Sequence, residues 1–179
     1  MIRTERLTLR PFREDDLPRY AELNADPEVM AHLGGVLTRE QSDVIARWAN
    51  HLWDTEGIGL VAVERTEDHT FLGMCGVHHL ETFPDDLEVG WRLARDHWGH
   101  GYATEAAEAW LRVAFEDKGV PRLLSVTDHD NDRSLAVMAR LGFHFAHEAD
   151  MVEHGEAFRA VVHVLERATW LDRNAEARR

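Results

Sequence analysis

The sequence predicts a single α/β domain of mixed character: a twisted, mostly antiparallel sheet of about seven strands with helices on both faces. Between residues 60 and 94, three strand-like runs follow one another across short polar or Pro-containing turns, as an antiparallel meander requires. From Leu87 to Leu141 the pattern becomes strand, helix, strand, helix, which implies a parallel crossover inside that sheet. No repeat, low-complexity stretch or linker interrupts the 179 residues. Residues 1–170 are therefore expected to form one domain, followed by a polar, frayed tail over 171–179.

Arg6 to Phe12 alternates, with Leu7, Leu9 and Pro11 on one side and Thr8 and Arg10 on the other, and opens the chain as a strand. Glu14 to Leu23 has acidic residues in its first turn and Leu17, Tyr20 and Leu23 on one face, as a helix would. Asp26-Pro27 predicts a second short helix, with an Asp cap and Pro at the first helical position, ended by Gly34-Gly35. Thr38 and Gln41 match a capping box, and Val44, Ile45, Trp48 and Leu52 follow at helical spacing, with Trp48 expected in the core.

Leu60 to Arg65, Phe71 to His79 and Leu87 to Ala94 are the meander strands. Gly101 to Lys118 reads as a helix with Ala103, Ala106, Trp110, Val113 and Ala114 on one stripe, stopped by Gly119 and Pro121. Leu123 to Asp128 is a strand, and Asp132 to Leu141 a helix stopped by Gly142. Phe143 to Ala149 and Phe158 to Trp170 close the domain as a hairpin around His154-Gly155.

Composition narrows the function. Hydrophobic residues at 44% and charged residues at 30% are globular values. No apolar run approaches the ~18 residues of a membrane span, and no apolar core follows the N-terminal charges. A soluble, cytoplasmic protein without membrane partners is expected. With 20 Lys plus Arg against 33 Asp plus Glu, the net charge of −13 repels phosphate backbones and argues against nucleic acid as a partner. It favours cationic partners such as amines. The single cysteine, Cys75, forms no intramolecular disulfide and fits a small buried hydrophobe.

The stretch from Trp91 to Glu105 carries the chemistry: a strand ends, a loop with Gly99 and Gly101 follows, and a helix begins. Amides at a helix N-terminus have no intrahelical acceptor, and the dipole there favours an anion. Arg95, His97 and His100 could add charge in an otherwise acidic protein. A dinucleotide fingerprint would need a third glycine where Thr104 stands, although Asp128 does lie at the end of the next strand. His97 with His100, and His144 with His147, are spaced by three. They fall in a loop and a strand, where such side chains diverge, so no metal site is expected.

Four segments together resemble the GCN5-related N-acetyltransferase superfamily, specifically its ribosomal-protein N-terminal acetyltransferase branch. They are Thr4 to Pro11, Asp26 to Met30, Glu88 to Ala106, and Asn131 to Ser134 leading into Leu141-Gly142-Phe143. Trp98 stands where the superfamily usually has Gln or Arg. The resemblance implies the superfamily fold, acetyl-CoA as acyl donor, an amine acceptor (a protein N-terminus or a small amine), and a possible homodimer. It also implies that main-chain groups of Trp91, Arg92 and Leu93 meet the pantetheine arm and acetyl carbonyl. Trp98, Gly99, His100, Gly101, Tyr102, Ala103 and Thr104 would then hold the pyrophosphate, with Asn131 and Ser134 beside the pantetheine and sulfur. Arg133 and Arg140 are candidates for the 3′-phosphate.

Attack on a thioester needs a neutral amine, so a general base is useful. Glu88 is the first candidate, on the sheet face of Gly90 and Arg92, with His78, His79 and Glu81 as alternatives and a structural pair with Arg92 as its competing role. The Leu93 amide would stabilise the oxyanion and Ser134 would assist the leaving thiolate. The rival expectation is a non-catalytic acyl-CoA-binding module.

Overall fold

The computed structural model describes residues 1–153 and 156–177. Among the described residues eight strands form one sheet in the order β1-β2-β3-β4-β5-β6-β8-β7. They are β1 (Ile2–Arg3), β2 (Leu7–Arg10), β3 (Gly59–Arg65), β4 (Phe71–His79), β5 (Leu87–Leu93), β6 (Arg122–Thr127), β7 (His144–Glu153) and β8 (Glu156–Glu166). The strand beyond the seven expected is β1, a two-residue edge antiparallel to β2. All pairings are antiparallel except β5 with β6, which run parallel. That one parallel contact is the crossover implied by the switch of sequence period.

The helices are α1 (Leu17–Ala25), α2 (Arg39–Glu56), α3 (Tyr102–Arg112), α4 (Asp132–Leu141) and α5 (Arg167–Ala177). Helix α2 begins where the capping box puts it: the Thr38 hydroxyl accepts from the Gln41 amide at 3.2 Å, and the Gln41 side chain accepts from the Thr38 amide at 2.7 Å. Helix α3 continues through a π turn over Val113–Asp117.

Alternation along the strands divides the core. Leu7, Leu9, Val61, Val63, Cys75, Val89 and Leu93 face α3, where Ala106, Ala107, Trp110 and Leu111 cover them. Ala62 and Met74 face the other way, against Tyr20 of α1 and Ala46 and Ala49 of α2. Burial pushes the Cys75 thiol pKa well up, as a small core hydrophobe requires. On the α1/α2 side Arg10 is buried between two carboxylates, Asp16 at 2.6 Å and Glu64 at 2.6 Å.

Three expectations need correction. The helix after Asp26 does not form. Asp26 Oδ1 accepts from the Glu28 amide at 2.9 Å, an Asx turn that competes with the helical start, and residues 26–35 are a series of turns. Trp48 is 45% exposed, since α2 turns Ser42, Ala46, Ala49 and Leu52 inward instead. The last strand stops at Glu166, and residues of the expected tail belong to α5, where buried Trp170 packs on Phe115 with ring centroids 5.5 Å apart. The hairpin tip at His154-Gly155 lies outside the described residues. Among the described residues no helix is long and apolar enough to cross a membrane.

Candidate active site

Strands β5 and β6 pair only at Leu87↔Leu123 and Glu88↔Leu124, then part. Two side chains bridge the start of the fork. Glu88 Oε1 accepts from the Val126 amide at 3.0 Å, and the Ser125 hydroxyl donates to the Val89 carbonyl at 3.1 Å. Beyond them β5 has an open edge. The Ala94 amide bonds to the Leu72 carbonyl at 2.9 Å, so by antiparallel alternation Arg92 exchanges its backbone bonds with Met74. The amides and carbonyls of Trp91 and Leu93 therefore point into the fork. Arg92 departs from the sequence expectation here: its main chain is committed to β4.

The glycine loop sits at the mouth of this fork. Gly99 and Gly101 have φ of 78° and 80°, the left-handed region that glycine enters at little cost. Gly101 caps α3, and the Glu105 amide bonds back to its carbonyl at 3.0 Å. The amides of Tyr102, Ala103 and Thr104 thus have no acceptor inside the helix and point out of its positive end. Trp98 anchors the loop: its indole N–H donates to the Leu93 carbonyl at 2.8 Å, and Arg133 lies over its ring at 4.1 Å.

A clamp that the sequence reading missed holds the loop from below. The Glu105 carboxylate accepts from the Arg6 amide at 2.9 Å and from Arg6 Nε at 2.6 Å, while Arg6 Nη1 reaches the His100 carbonyl at 3.0 Å. These contacts span 94 to 99 residues of sequence, which no local pattern could announce.

Two connected cavities meet at the fork. The larger, about 1320 Å³, runs along the glycine loop and the α4 face that carries Arg133, Ser134 and Arg140. The smaller, about 110 Å³, lies against Glu88, Gly90, His78, Leu60 and Met74. Trp91, Arg92, Asn131 and Ser134 line both. Asn131 caps α4, accepting from the Ser134 amide at 3.2 Å, and donates to the Thr127 hydroxyl at 2.8 Å, which fixes α4 to the end of β6.

Glu88 is 9% exposed and does not pair with Arg92; its second oxygen lies 3.1 Å from His78 Nε2. His79 instead faces Glu56 at 3.3 Å. Arg95 turns away from the loop to Glu28 at 2.7 Å, and Asp128, the residue a ribose would have needed, pairs with His32 at 3.2 Å. Burial, with Arg65 nearby, holds the His97 imidazole below its ordinary pKa, which disfavours the charged form beside the loop. Among the described residues no group of three or more His, Cys, Asp or Glu side chains converges as a metal cluster.

The family model of the acetyltransferase (GNAT) domain matches residues 6–144. The chain belongs to that family. A crystal structure of the acetyltransferase from Agrobacterium tumefaciens is similar with a TM-score of 0.80 and 32% identity, covering 92% of this chain and 93% of that one. An uncharacterized Bacillus subtilis protein, YkkB, is 30% identical over 146 residues, 80% of this chain and 84% of its own length. The FsC-acetyl coenzyme A-N(2)-transacetylase of Aspergillus fumigatus is 30% identical over 152 residues, 79% of this chain and 63% of that protein. The protein is an acyltransferase of the GNAT fold, and acetyl-CoA is its acyl donor.

Proposed function

We propose that the chain is an N-acetyltransferase that moves the acetyl group directly onto a primary amine within a ternary complex. The observation that carries this is the open edge of β5 beside unpaired helix-end amides. Trp91, with its amide and carbonyl, and Leu93, with its amide, offer an extended arm the hydrogen bonds that β6 withholds, and the amides from Gly99 to Thr104 suit the diphosphate at its end. An arm laid there directs its thioester to the junction of the two cavities. The Leu93 amide then donates to the carbonyl oxygen as it gains negative charge.

The amine enters from the smaller cavity. Glu88, directly or through a water, takes the proton that the nitrogen must lose, and His78 is in contact to relay it. Nitrogen bonds to the carbonyl carbon, the carbon–sulfur bond breaks, and the thiolate takes a proton from solvent, directly or through the Ser134 hydroxyl, which water reprotonates. No covalent enzyme intermediate is needed, and the buried Cys75 lines neither cavity.

Glu88→Gln tests the assignment. It should lower kcat at neutral pH at least about tenfold while the Kd for CoA changes little. An unchanged kcat would remove Glu88 from the base role. Tight CoA binding with no turnover across amines and peptides would leave an acyl-CoA-binding module instead.

A further inference from the structure

Arg10 and Arg92 are both buried in the α1/α2 half of the molecule, and the fold treats them differently. Arg10, 3% exposed, has both Asp16 and Glu64 on its guanidinium. Arg92, 9% exposed, has among the described residues a single hydrogen-bond partner, Asn24, whose Oδ1 accepts from Nη1 at 2.8 Å. Among the described residues its buried Nε has no partner. Among the described residues no carboxylate lies within 4.0 Å of it. Glu88, four residues along the same strand face, is held by Val126 and His78 instead. A cation taken out of water without a counter-ion is costly, and folds rarely keep one without use.

The guanidinium is also aimed. Asn24 is fully buried, and its amide donates to the Ser42 hydroxyl at 3.0 Å, which donates to the Thr38 carbonyl at 2.9 Å. This chain across α1 and α2 fixes the Asn24 oxygen, and through it Arg92, at the wall shared by the two cavities. Gly90 stands between Glu88 and Arg92 on the strand, leaving the floor between them without a side chain. Their Cα atoms are about 13 Å apart, four strand residues. One end of the small cavity is thus acidic and the other cationic, with Leu60, Met74, Leu80 and Met138 along its sides.

Resting on the transferase reading above, we propose that Arg92 binds the carboxylate of the acceptor, which is a small amino acid-like molecule with its amine at the Glu88 end. A carboxylate in the cavity would pair with the guanidinium through Nη2, the terminal nitrogen with no hydrogen-bond partner among the described residues, and would supply the counter-charge the fold leaves out. The cavity of about 110 Å³ suits a small molecule better than a protein chain. The CoA phosphates are the other possible counter-ion, and they have their own donors in the glycine loop.

The test uses γ-aminobutyrate, L-leucine and ε-aminocaproate, each beside its carboxamide and its decarboxylated alkylamine, with kcat and KM measured at saturating acetyl-CoA. For at least one of the three sets the acid should exceed both neutral partners in kcat/KM by about ten- to hundredfold. Arg92→Met should collapse that ratio toward one by raising KM of the acid, and Arg92→Lys should keep part of it. A wild-type ratio near one in all sets overturns the proposal while turnover of the neutral amines upholds the transferase. A rise in the acetyl-CoA Kd of Arg92→Met with the acid ratio intact gives Arg92 to the cofactor and also overturns it. Acetyl-CoA binding without turnover of any acceptor, peptides included, sinks both readings. Should Arg92→Met not fold, the wild-type ratios decide alone.

Discussion

Valine in place of Gly101 tests whether backbone shape at the start of α3 makes the cofactor site. Gly101 has φ of 80° and ψ of 4°, and a Cβ there would sit 3.5 Å from Arg6 Nη2, an ordinary contact. Space is therefore available, and the cost lies in the dihedral. A left-handed residue costs roughly 1–2 kcal/mol without glycine, and a β-branched one more. If the loop holds its shape, that strain lowers Tm by about 2–8 °C for a domain of this size. If the loop relaxes, the amides of Tyr102 to Thr104 swing off the diphosphate. Each charge-assisted bond lost there is worth about 1.5–3 kcal/mol, or about ten- to 150-fold in Kd. Asparagine tolerates the left-handed region, so Gly101→Asn should stay within a few-fold of wild type. Titrating CoA against each variant, with thermal melts alongside, separates the two routes. Equal weakening by Val and Asn would show that side-chain bulk, not the dihedral, matters. No change in either Kd or Tm with Val would refute the reasoning outright.

Two further perturbations concern the supports of the site. Glu64 lies under Arg10 at 2.6 Å and also meets Arg13 at 3.3 Å and His69 at 3.0 Å, so Glu64→Gln leaves Arg10 half-compensated inside the protein. Urea unfolding should show a loss of about 3 kcal/mol or more, and a loss under about 1 would mean that the cluster adds nothing to stability. The Glu105 carboxyl is pushed up by burial, but hydrogen bonds from Thr4 and Arg6 outweigh this and leave its pKa lowered. A depressed folded pKa contributes stability that is complete above the unfolded value of about 4.3 and disappears as pH falls through the folded value. Glu105→Gln should therefore lose less stability than wild type on going from about pH 5 to pH 3. Parallel stability-versus-pH curves would show that the clamp contributes nothing through its charge.

What was legible in the sequence was local. The Thr38–Gln41 box and the glycines at 99, 101 and 142 act within a few residues of their own position, and each appears where the pattern puts it. The Asp26-Pro27 signal was also local but ambiguous, because an aspartate that can cap a helix can close an Asx turn with the same oxygen. Trp48 failed for a different reason. Its helix carries enough alanine to bury a small-residue face, so the larger Val44 and Trp48 were free to turn outward. The Arg6–Glu105 clamp, the solitary burial of Arg92 and the parting of β5 from β6 depend on partners 36 or more residues away, and no periodicity encodes them.

The fork itself has a side-chain cause, which makes it testable apart from catalysis. Where parallel strands would continue their ladder, the Glu88 carboxylate occupies the acceptor position for the Val126 amide, and the Ser125 hydroxyl serves the Val89 carbonyl. Side chains longer than a backbone bond hold the strands apart while satisfying both polar groups. On this view Glu88 has a structural duty independent of proton transfer, and two substitutions separate the duties. Glutamine keeps an oxygen for Val126 and loses the charge. Alanine loses both, leaving a part-buried amide without its partner, at a cost of about 1–3 kcal/mol. Glu88→Ala should therefore unfold at lower denaturant by that amount, whereas Glu88→Gln should stay within about 1 kcal/mol of wild type and fail only in turnover. If Glu88→Ala is as stable as the parent, the amide has found water or β5, the fork stands without the carboxylate, and the opening between the strands must come from the packing of α3 and α4 instead.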